Sequence, residues 1–460
     1  MRWRRWLILT LIWILSGLPG AGRWSPAPGA SAAPGCFLSL EDGRCLPPPI
    51  PADSVAAPAA QPRAASAPRD PGVLVKRRAE VSPGAFRAGL TAAGFPGAEA
   101  LAVPRWWRVP VSPGQNPEAI ARRLRQHPDI EVAEVDREVR IAFTPNDPYY
   151  GLYQWNLPKI RAPQAWDVVT GTSAVWIAIV DTGVDYTHPD LGSSRLWLGW
   201  DFVNNDNNPM DDHGHGTHVA GIAGANTNNG IGVAGICWGC DLLAVKVLGA
   251  DGFGWDSDVA SGIQYAADWG AAFGKRTIIN LSLGSPDSSA ILADAVSYAQ
   301  SKGALIVAAA GNNGANQLFY PAAYPGVIGV AATNFSNQWA WFSNSGAHVD
   351  LAAPGVDILS TYPGGSYAWM DGTSMATPHV AGAAGLVWSV RPALTADQVC
   401  GILIRTALDL GTPGRDDYYG YGRVNAEAAV RSLLPPSGPS PGPYRVYLPL
   451  VLSASAFRCP

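Results

Sequence analysis

The sequence predicts an α/β protein: a doubly wound, mostly parallel central sheet with helices on both faces, preceded by a small α+β domain. Two observations carry this. From about residue 144 the chain holds short continuous apolar runs, "AVWIAIVDTG", "DLLAVKVL", "TIINLSLG", "ALIVAAAGN" and "GVIGVAATN". Such runs are what strands buried on both faces look like. Between them lie segments with helical spacing, such as "VASGIQYAADWGAAF" and "SSAILADAVSYAQSKG". Strands alternating with helices give a parallel sheet covered on both sides. Sites in such sheets gather at the C-terminal ends of the strands. The polar motifs "DTG" and "GNNG" each follow directly after a strand.

The preceding segments differ in character. Residues 1–22 read "MRWRRWLILTLIWILSGLPGAG". Arginines, a short apolar run and then small residues make the pattern of a secretory signal, and the run is short for a membrane span. Residues 23–71 are rich in Pro and Ala, a linker composition that buries no core. Residues 72–143 suggest β-α-β-α-β: "GVLVKRR", "SPGAFRAGLTAAG", "ALAVPRWWRVPVS", "NPEAIARRLRQHPD" and "IEVAEVDREVRIA". That order suits a ferredoxin-like fold. The α/β domain spans 144–432. A Pro-rich linker and a short apolar tail fill 433–460.

The net charge of −4 hides an asymmetry, because residues 1–143 sum to +6 and the remainder to −10. A basic front and an acidic rest read as units that attract each other. Nucleic acid is a poor partner for the acidic part. Glu427 is the one glutamate after residue 143. That leaves no H-E-x-x-H zinc protease motif and no glutamate pair for a glycosidase. Of six cysteines, Cys237 and Cys240 form "CWGC" with no second CxxC, so a small disulfide loop is expected rather than zinc. Cys400 sits in an apolar helical pattern and is expected to be a buried thiol.

Four motifs carry chemistry, and each is ambiguous alone. Asp181 ends an apolar strand, either as a turn residue or as a working carboxylate. "HGHGTHVAGIAG" puts His213, His215 and His218 together. They fit a metal site, packed structural residues, or a catalytic base at His215 flanked by glycines that admit close approach. Ser374 in "GTSMATPHVAG" sits where an N-cap sits, but a helix start also offers free N–H groups to a developing oxyanion. Asn312 follows a strand as a turn residue would, yet its amide can donate to an oxyanion.

Together the motifs are specific. Asp, His and Ser occur in the chain order of subtilisin, one of the known convergent triads. "VDTGVD", "HGHGTHVAG", "AAAGN" and "GTSMATPHVAG" resemble the subtilisin-like serine proteases (peptidase S8 family) over about 144–432. "NDPYYGLYQWNLPKIRAPQAWD" and "GWDFVNND" resemble their thermitase branch, and 72–142 resembles the inhibitor and chaperone propeptide of the family. The resemblance implies a subtilisin-like fold and a secreted serine endopeptidase made as an autoprocessed pre-pro-enzyme, cut between about Ile141 and Thr144. Ser374 attacks the scissile carbonyl, His215 moves the proton, Asp181 orients His215, and Asn312 with the Ser374 N–H binds the oxyanion. A peptide adds as a strand to Leu281, Ser282, Leu283 and Gly284, with Ala309, Ala310 and Gly311 walling a pocket for an apolar or aromatic side chain. His218 and His379 become packing residues.

Calcium is implied too. Asp147, Asp190, the Asn229 side chain and the carbonyls of Asn226, Ile231 and Val233 correspond to the family's strong site. Asp201, Asn204 and Asp206 suggest a second. There Asn204 stands where an Asp is expected and Met210 where the branch has an amide ligand, with Asp211 or Asp212 available to compensate. The expected partners are polypeptide substrates and the protein's own propeptide. Neither a stable membrane span nor an oligomer is expected.

Overall fold

A computed structural model describes residues 72–112, 115–136, 144–192 and 195–434, together with the backbone of 38–39, 45–46 and 50–51. The expected signal segment, the maturation region 137–143 and the tail 435–460 lie outside the described residues. The central sheet has eight strands. Their order is Leu351–Pro354, Val327–Thr333, Leu305–Ala309, Arg276–Leu281, Val175–Asp181, Asp241–Lys246, Leu196–Asp201 and Ile50–Pro51. All neighbours are parallel except Ile50–Pro51, which pairs antiparallel at one edge.

Val175–Asp181 is the pivot of this topology. The chain runs from it to one side of the sheet, then crosses to Arg276–Leu281 on the other. A crevice opens at such a switch point, beyond the carboxyl ends of the strands. Asp181 is the last residue of that pivot strand.

Strand alternation assigns the two faces. Ile177, Ile179, Ile278 and Val307 share one core with Met375, Val380 and Leu386 of the helix Thr373–Val390. The opposite face is covered by the helix Asp256–Ala272, whose Gly262 and Gly270 lie against Val180, Val245 and Thr277. The helix His215–Gly224 packs beside Thr373–Val390 on the first face. Both helices are made of small residues, "HGTHVAGIAG" and "TSMATPHVAGAAG". Small side chains let backbones approach closely, which is how two helix starts fit into one crevice.

Residues 72–136 form a separate sheet of four antiparallel strands, with the helices Pro83–Ala92 and Pro117–Leu124. The strand order is Glu99–Ala100, Trp106–Pro110, Gly72–Arg77 and Ile130–Asp136. The sequence pattern lacked the two-residue strand Glu99–Ala100, and with it the unit is β-α-β-β-α-β, the ferredoxin-like order. Two such residues are too few for a period-2 signal to register.

Cys237 and Cys240 are joined by the expected disulfide, packed against Gly385 of the helix Thr373–Val390. Cys400 departs from expectation: it is disulfide-bonded rather than a buried thiol. Its apolar helical surroundings hid this, because burial suits a half-cystine and a free thiol equally. Among the described residues no helix is long and apolar enough to cross a membrane.

Gly216 is the tightest point between the pivot strand and the histidine helix. A Cβ there would lie 2.1 Å from the Gly183 carbonyl oxygen and 3.2 Å from the Asp181 Cβ. Gly216→Ala therefore forces backbone apart, at a cost of about 2–3 kcal/mol. The expected outcome is a fall of at least about 5 °C in the melting temperature, measured in a Ser374→Ala background; an unchanged melting temperature would show that the two segments yield freely.

Candidate active site

His215 opens its helix at the carboxyl end of the sheet, next to the end of the pivot strand. Its Nδ1 donates to Asp181 Oδ1 at 2.7 Å. The same oxygen accepts the Thr182 backbone N–H at 2.7 Å, and the carboxylate is fully buried. Burial pushes the His215 pKa down, but the charge of Asp181 and its hydrogen bond, with the charge of Asp211, outweigh it and leave the pKa raised above 6.5. An Nδ1–H directed at Asp181 leaves Nε2 free to accept a proton, the tautomer a general base needs.

Asp211 places this histidine. Its Oδ1 accepts from His213 N at 3.0 Å, Gly214 N at 2.8 Å and Thr182 Oγ1 at 2.8 Å. Its Oδ2 accepts from Thr217 N at 2.8 Å and Thr217 Oγ1 at 2.5 Å. Thr182 Oγ1 in turn accepts from Gly216 N. Asp211 thus holds the two N–H groups leading into the helix and the Thr217 N–H of its first turn, Thr182 takes that of Gly216, and the pair ties the helix start to the pivot strand. Asp212 bonds to Lys246 Nζ at 2.6 Å, and that buried ammonium also donates to the carbonyls of Thr182 and Leu248. Both oxygens of Asp211 are thus engaged within the protein, while Asp212 is half exposed and gives one oxygen to Lys246.

Ser374 is the second residue of the helix Thr373–Val390. Its Oγ donates to the Ser282 carbonyl at 3.0 Å. Asn312 Oδ1 accepts from both Thr373 N and Thr373 Oγ1 at 2.9 Å, which fixes the amide and turns Nδ2 outward. A Cβ built on Gly372 would lie 3.5 Å from Asn312 Nδ2 and 3.5 Å from Ser374 N. Both nitrogen atoms thus lie close to one point beside Gly372, with Met375 Sδ 3.7 Å from it. His215, Ser374 and Asn312 all line a cleft of 450 Å³.

The cleft also contains Ser282, Leu283, Gly284 and Ala309 from the expected substrate edge. Leu281, Ala310 and Gly311 do not reach it. Leu281 and Ala310 are fully buried, and Gly311 is held behind the wall by Thr373 and Asn344. The cleft is thus lined by the segment just past the strand Arg276–Leu281 and by the last residue of Leu305–Ala309. The sequence reading missed Leu248, Trp255, Phe319 and Tyr320, which supply the apolar lining. They come from loops distant in the chain, and an aromatic loop residue carries no signal of its own.

His218 and His379 are fully buried, whereas His213 lies exposed on the cleft. His218 Nε2 donates to the Ile358 and Ala368 carbonyls, both at 3.0 Å, and burial pushes its pKa down to about 4. His379 lies between Met375 O and Asn156 Nδ2, and burial also takes it to about 4. His213 is exposed, with its ring 6.3 Å from that of His215. Among the described residues no three His, Cys, Asp or Glu side chains form a metal cluster, so the zinc reading of the histidine run has no geometry behind it.

For the first calcium set, Asp147 and Asp190 come together with the loop 226–233. Asp190 accepts from Asn229 Nδ2, Val233 N and Tyr367 Oη, and Asp147 accepts from Asn228 N. Burial, then the neighbouring Asp147 charge, raise Asp190 to about 6 against those hydrogen bonds. Among the described residues neither carboxylate has a Lys or Arg partner, and the carbonyls of Asn226, Ile231 and Val233 accept no hydrogen bond. For the second set, Asp201 accepts from Val203 N, Asn204 N and Asn204 Nδ2 within its own turn. Asp206 pairs with it through backbone alone and is exposed. That turn is satisfied internally.

The profile of the subtilase family matches residues 172–422. The chain is 47% identical over 324 residues to a thermophilic serine proteinase of Bacillus sp. (strain AK1), covering 68% of this chain and 76% of that one. It is 48% identical over 289 residues to thermitase of Thermoactinomyces vulgaris, covering 63% and 100%. Among solved structures, a protease from Pseudoalteromonas arctica superposes with a TM-score of 0.57 at 34% identity, covering 63% of this chain and 99% of that one.

His218 gives a pH-dependent prediction. Its folded pKa of about 4 lies below the unfolded value near 6.5. Its contribution to stability is therefore complete above pH 6.5 and is lost as the pH falls towards 4. In the Ser374→Ala background, the destabilisation caused by His218→Gln should be largest at pH 7–8 and shrink steadily below about pH 6.5. Denaturant unfolding at several pH values measures this, and a pH-independent penalty would show that His218 titrates normally.

Proposed function

The chain belongs to the subtilase family and is a serine endopeptidase of subtilisin type acting on polypeptides; from that premise we propose that Asp181, His215 and Ser374 form its catalytic triad. The observation that carries this is the 2.7 Å Asp181–His215 bond in a cleft shared with Ser374 and the Asn312 amide. His215 Nε2 takes the Ser374 proton as Oγ attacks the scissile carbonyl, and later returns it to the leaving amine. Asp181 stays ionised and steadies the imidazolium. Asn312 Nδ2 and Ser374 N–H donate to the oxyanion in the space beside Gly372.

An extended substrate adds to the edge Ser282–Gly284. The Ser282 carbonyl then takes a substrate N–H, and the Ser374 hydroxyl leaves it for His215. The apolar lining favours an apolar or aromatic side chain on the acyl side of the cut.

The enzyme is exported by the 1–22 segment and made with 72–143 as an intramolecular chaperone and inhibitor. The ferredoxin-like unit and its positive balance against an acidic catalytic domain support this. Release follows a self-cut between about Ile141 and Thr144, and the mature enzyme is a monomer. Calcium bound by Asp147, Asp190, Asn229 and the carbonyls of Asn226, Ile231 and Val233 neutralises two buried carboxylates and holds the loop 226–233. A second ion would be held by Asp201, Asn204 and Asp206, where Asp201 and Asp206 also accept hydrogen bonds within their own turn.

Two experiments test these readings. Purified full-length Ser374→Ala should remain an uncut precursor and take no serine-directed phosphonate, whereas the wild type takes one per molecule; self-processing by the variant would exclude Ser374 as nucleophile. In a Ser374→Ala background, calcium should raise the melting temperature relative to chelator, and Asp190→Asn should remove most of that increment. An increment unaffected by Asp190→Asn would place the ion elsewhere.

A further inference from the structure

The helix Thr373–Val390 contains Pro378, four residues after Ser374. Proline has no N–H, so the Ser374 carbonyl loses its i+4 partner inside a buried helix. An unsatisfied buried carbonyl at this point would loosen the peptide that carries the nucleophile.

A side chain from just past the neighbouring strand fills the gap. Ser282 Oγ donates to the Ser374 carbonyl at 2.8 Å. Asn280 Nδ2 donates to Ser282 Oγ at 3.0 Å. An amide nitrogen can only donate, so the Ser282 oxygen accepts from Asn280 and its single hydrogen goes to Ser374. Asn280, in the strand Arg276–Leu281, and Ser282, just past its end, are two residues apart. Asn280 is fully buried and Ser282 nearly so. An asparagine in the middle of an apolar sheet has a cost, and its contact with Ser282 gives it a purpose.

We infer that Ser282 is a positioning residue for Ser374: its hydroxyl, oriented by Asn280, replaces the helix hydrogen bond that Pro378 removes. Ser374 is then held from both sides. Asn312 Oδ1 grips the Thr373 N–H before it, and Ser282 Oγ grips its own carbonyl after it. The device keeps the nucleophile on a helix start whose carbonyl ladder is broken, and the first-turn donors stay free for the oxyanion. This role is separate from that of the Ser282 backbone carbonyl, which faces the substrate. It rests on the reading of Ser374 as nucleophile.

The test is a compensation experiment on the mature enzyme, with rates normalised by phosphonate titration of active sites. Ser282→Ala should lower kcat about tenfold while KM changes by less than about threefold. Ser282→Thr, which keeps the hydroxyl, should stay within about threefold of wild type. The decisive variant is Ser282→Ala/Pro378→Ala. Alanine at 378 restores an N–H to the Ser374 carbonyl, so most of the lost kcat should return. Ser282→Ala with wild-type kcat, or a double variant no better than Ser282→Ala, overturns the inference. Should Pro378→Ala alone fail to fold, Ser282→Thr decides, since a loss equal to that of Ser282→Ala excludes the hydroxyl. A wild-type enzyme that takes no phosphonate would instead remove the nucleophile assignment itself.

Discussion

The site depends on the carboxylate of Asp211. It accepts five hydrogen bonds, three from the backbone that leads into the histidine helix and two from threonine hydroxyls. The pivot strand must hand its last residue to a histidine on a separate helix, and a helix start alone carries unsatisfied N–H groups and no fixed direction. Asp211 supplies both satisfaction and direction, and Thr182 joins it to the strand through Gly216 N. Its charge also contributes to raising His215. The seating of His215 therefore rests largely on Asp211, and its charge state on Asp181 first and Asp211 second.

The same logic recurs at Ser374. Its helix is interrupted at Pro378 and bordered by Gly372 before it. The interruptions are made good by side chains from neighbouring strands and loops, Asn312 on one side and Ser282 on the other. The sheet thus does more than bury apolar surface. Its carboxyl edge provides hydrogen-bonding groups at fixed positions, and the two helix starts are seated on them. A rigid scaffold of this kind keeps a constellation within the small tolerance that catalysis needs.

Much of this was legible in the sequence, for identifiable reasons. Continuous apolar runs ending in polar motifs gave the parallel sheet and located Asp181 and Asn312 at strand ends. The glycines around His215 marked close approach, and Gly216 sits 2.1 Å, by a notional Cβ, from a backbone oxygen. What stayed hidden depends on side chains reaching between elements. Asp211 looked like a loop acid because five donors three-dimensionally arranged leave no spacing to read. Leu281, Ala310 and Gly311 sit in the same motifs as true cleft residues, and only burial and the hydrogen bonds of Gly311 separate them. The partner of the Ser374 carbonyl could not be read because it lies 92 residues away.

The histidines show why the motif needed a structure. His218 and His379 have the same side chain as His215 and are also desolvated; burial drives both to about 4, helped at His218 by the neighbouring His215 and His379. They meet carbonyl oxygens and an amide, which satisfy one tautomer and offer a proton no charge. His188 is lowered as well, despite Asp185 nearby, because burial outweighs that charge. His215 is held at 2.7 Å by a fully buried carboxylate, and there the charge prevails over desolvation. A neighbouring carboxylate thus raises a buried histidine only where its charge and a direct hydrogen bond outweigh desolvation, as at His215 and not at His188. The run "HGHGTHVAG" contains both outcomes three residues apart, separated by which strand end each ring meets.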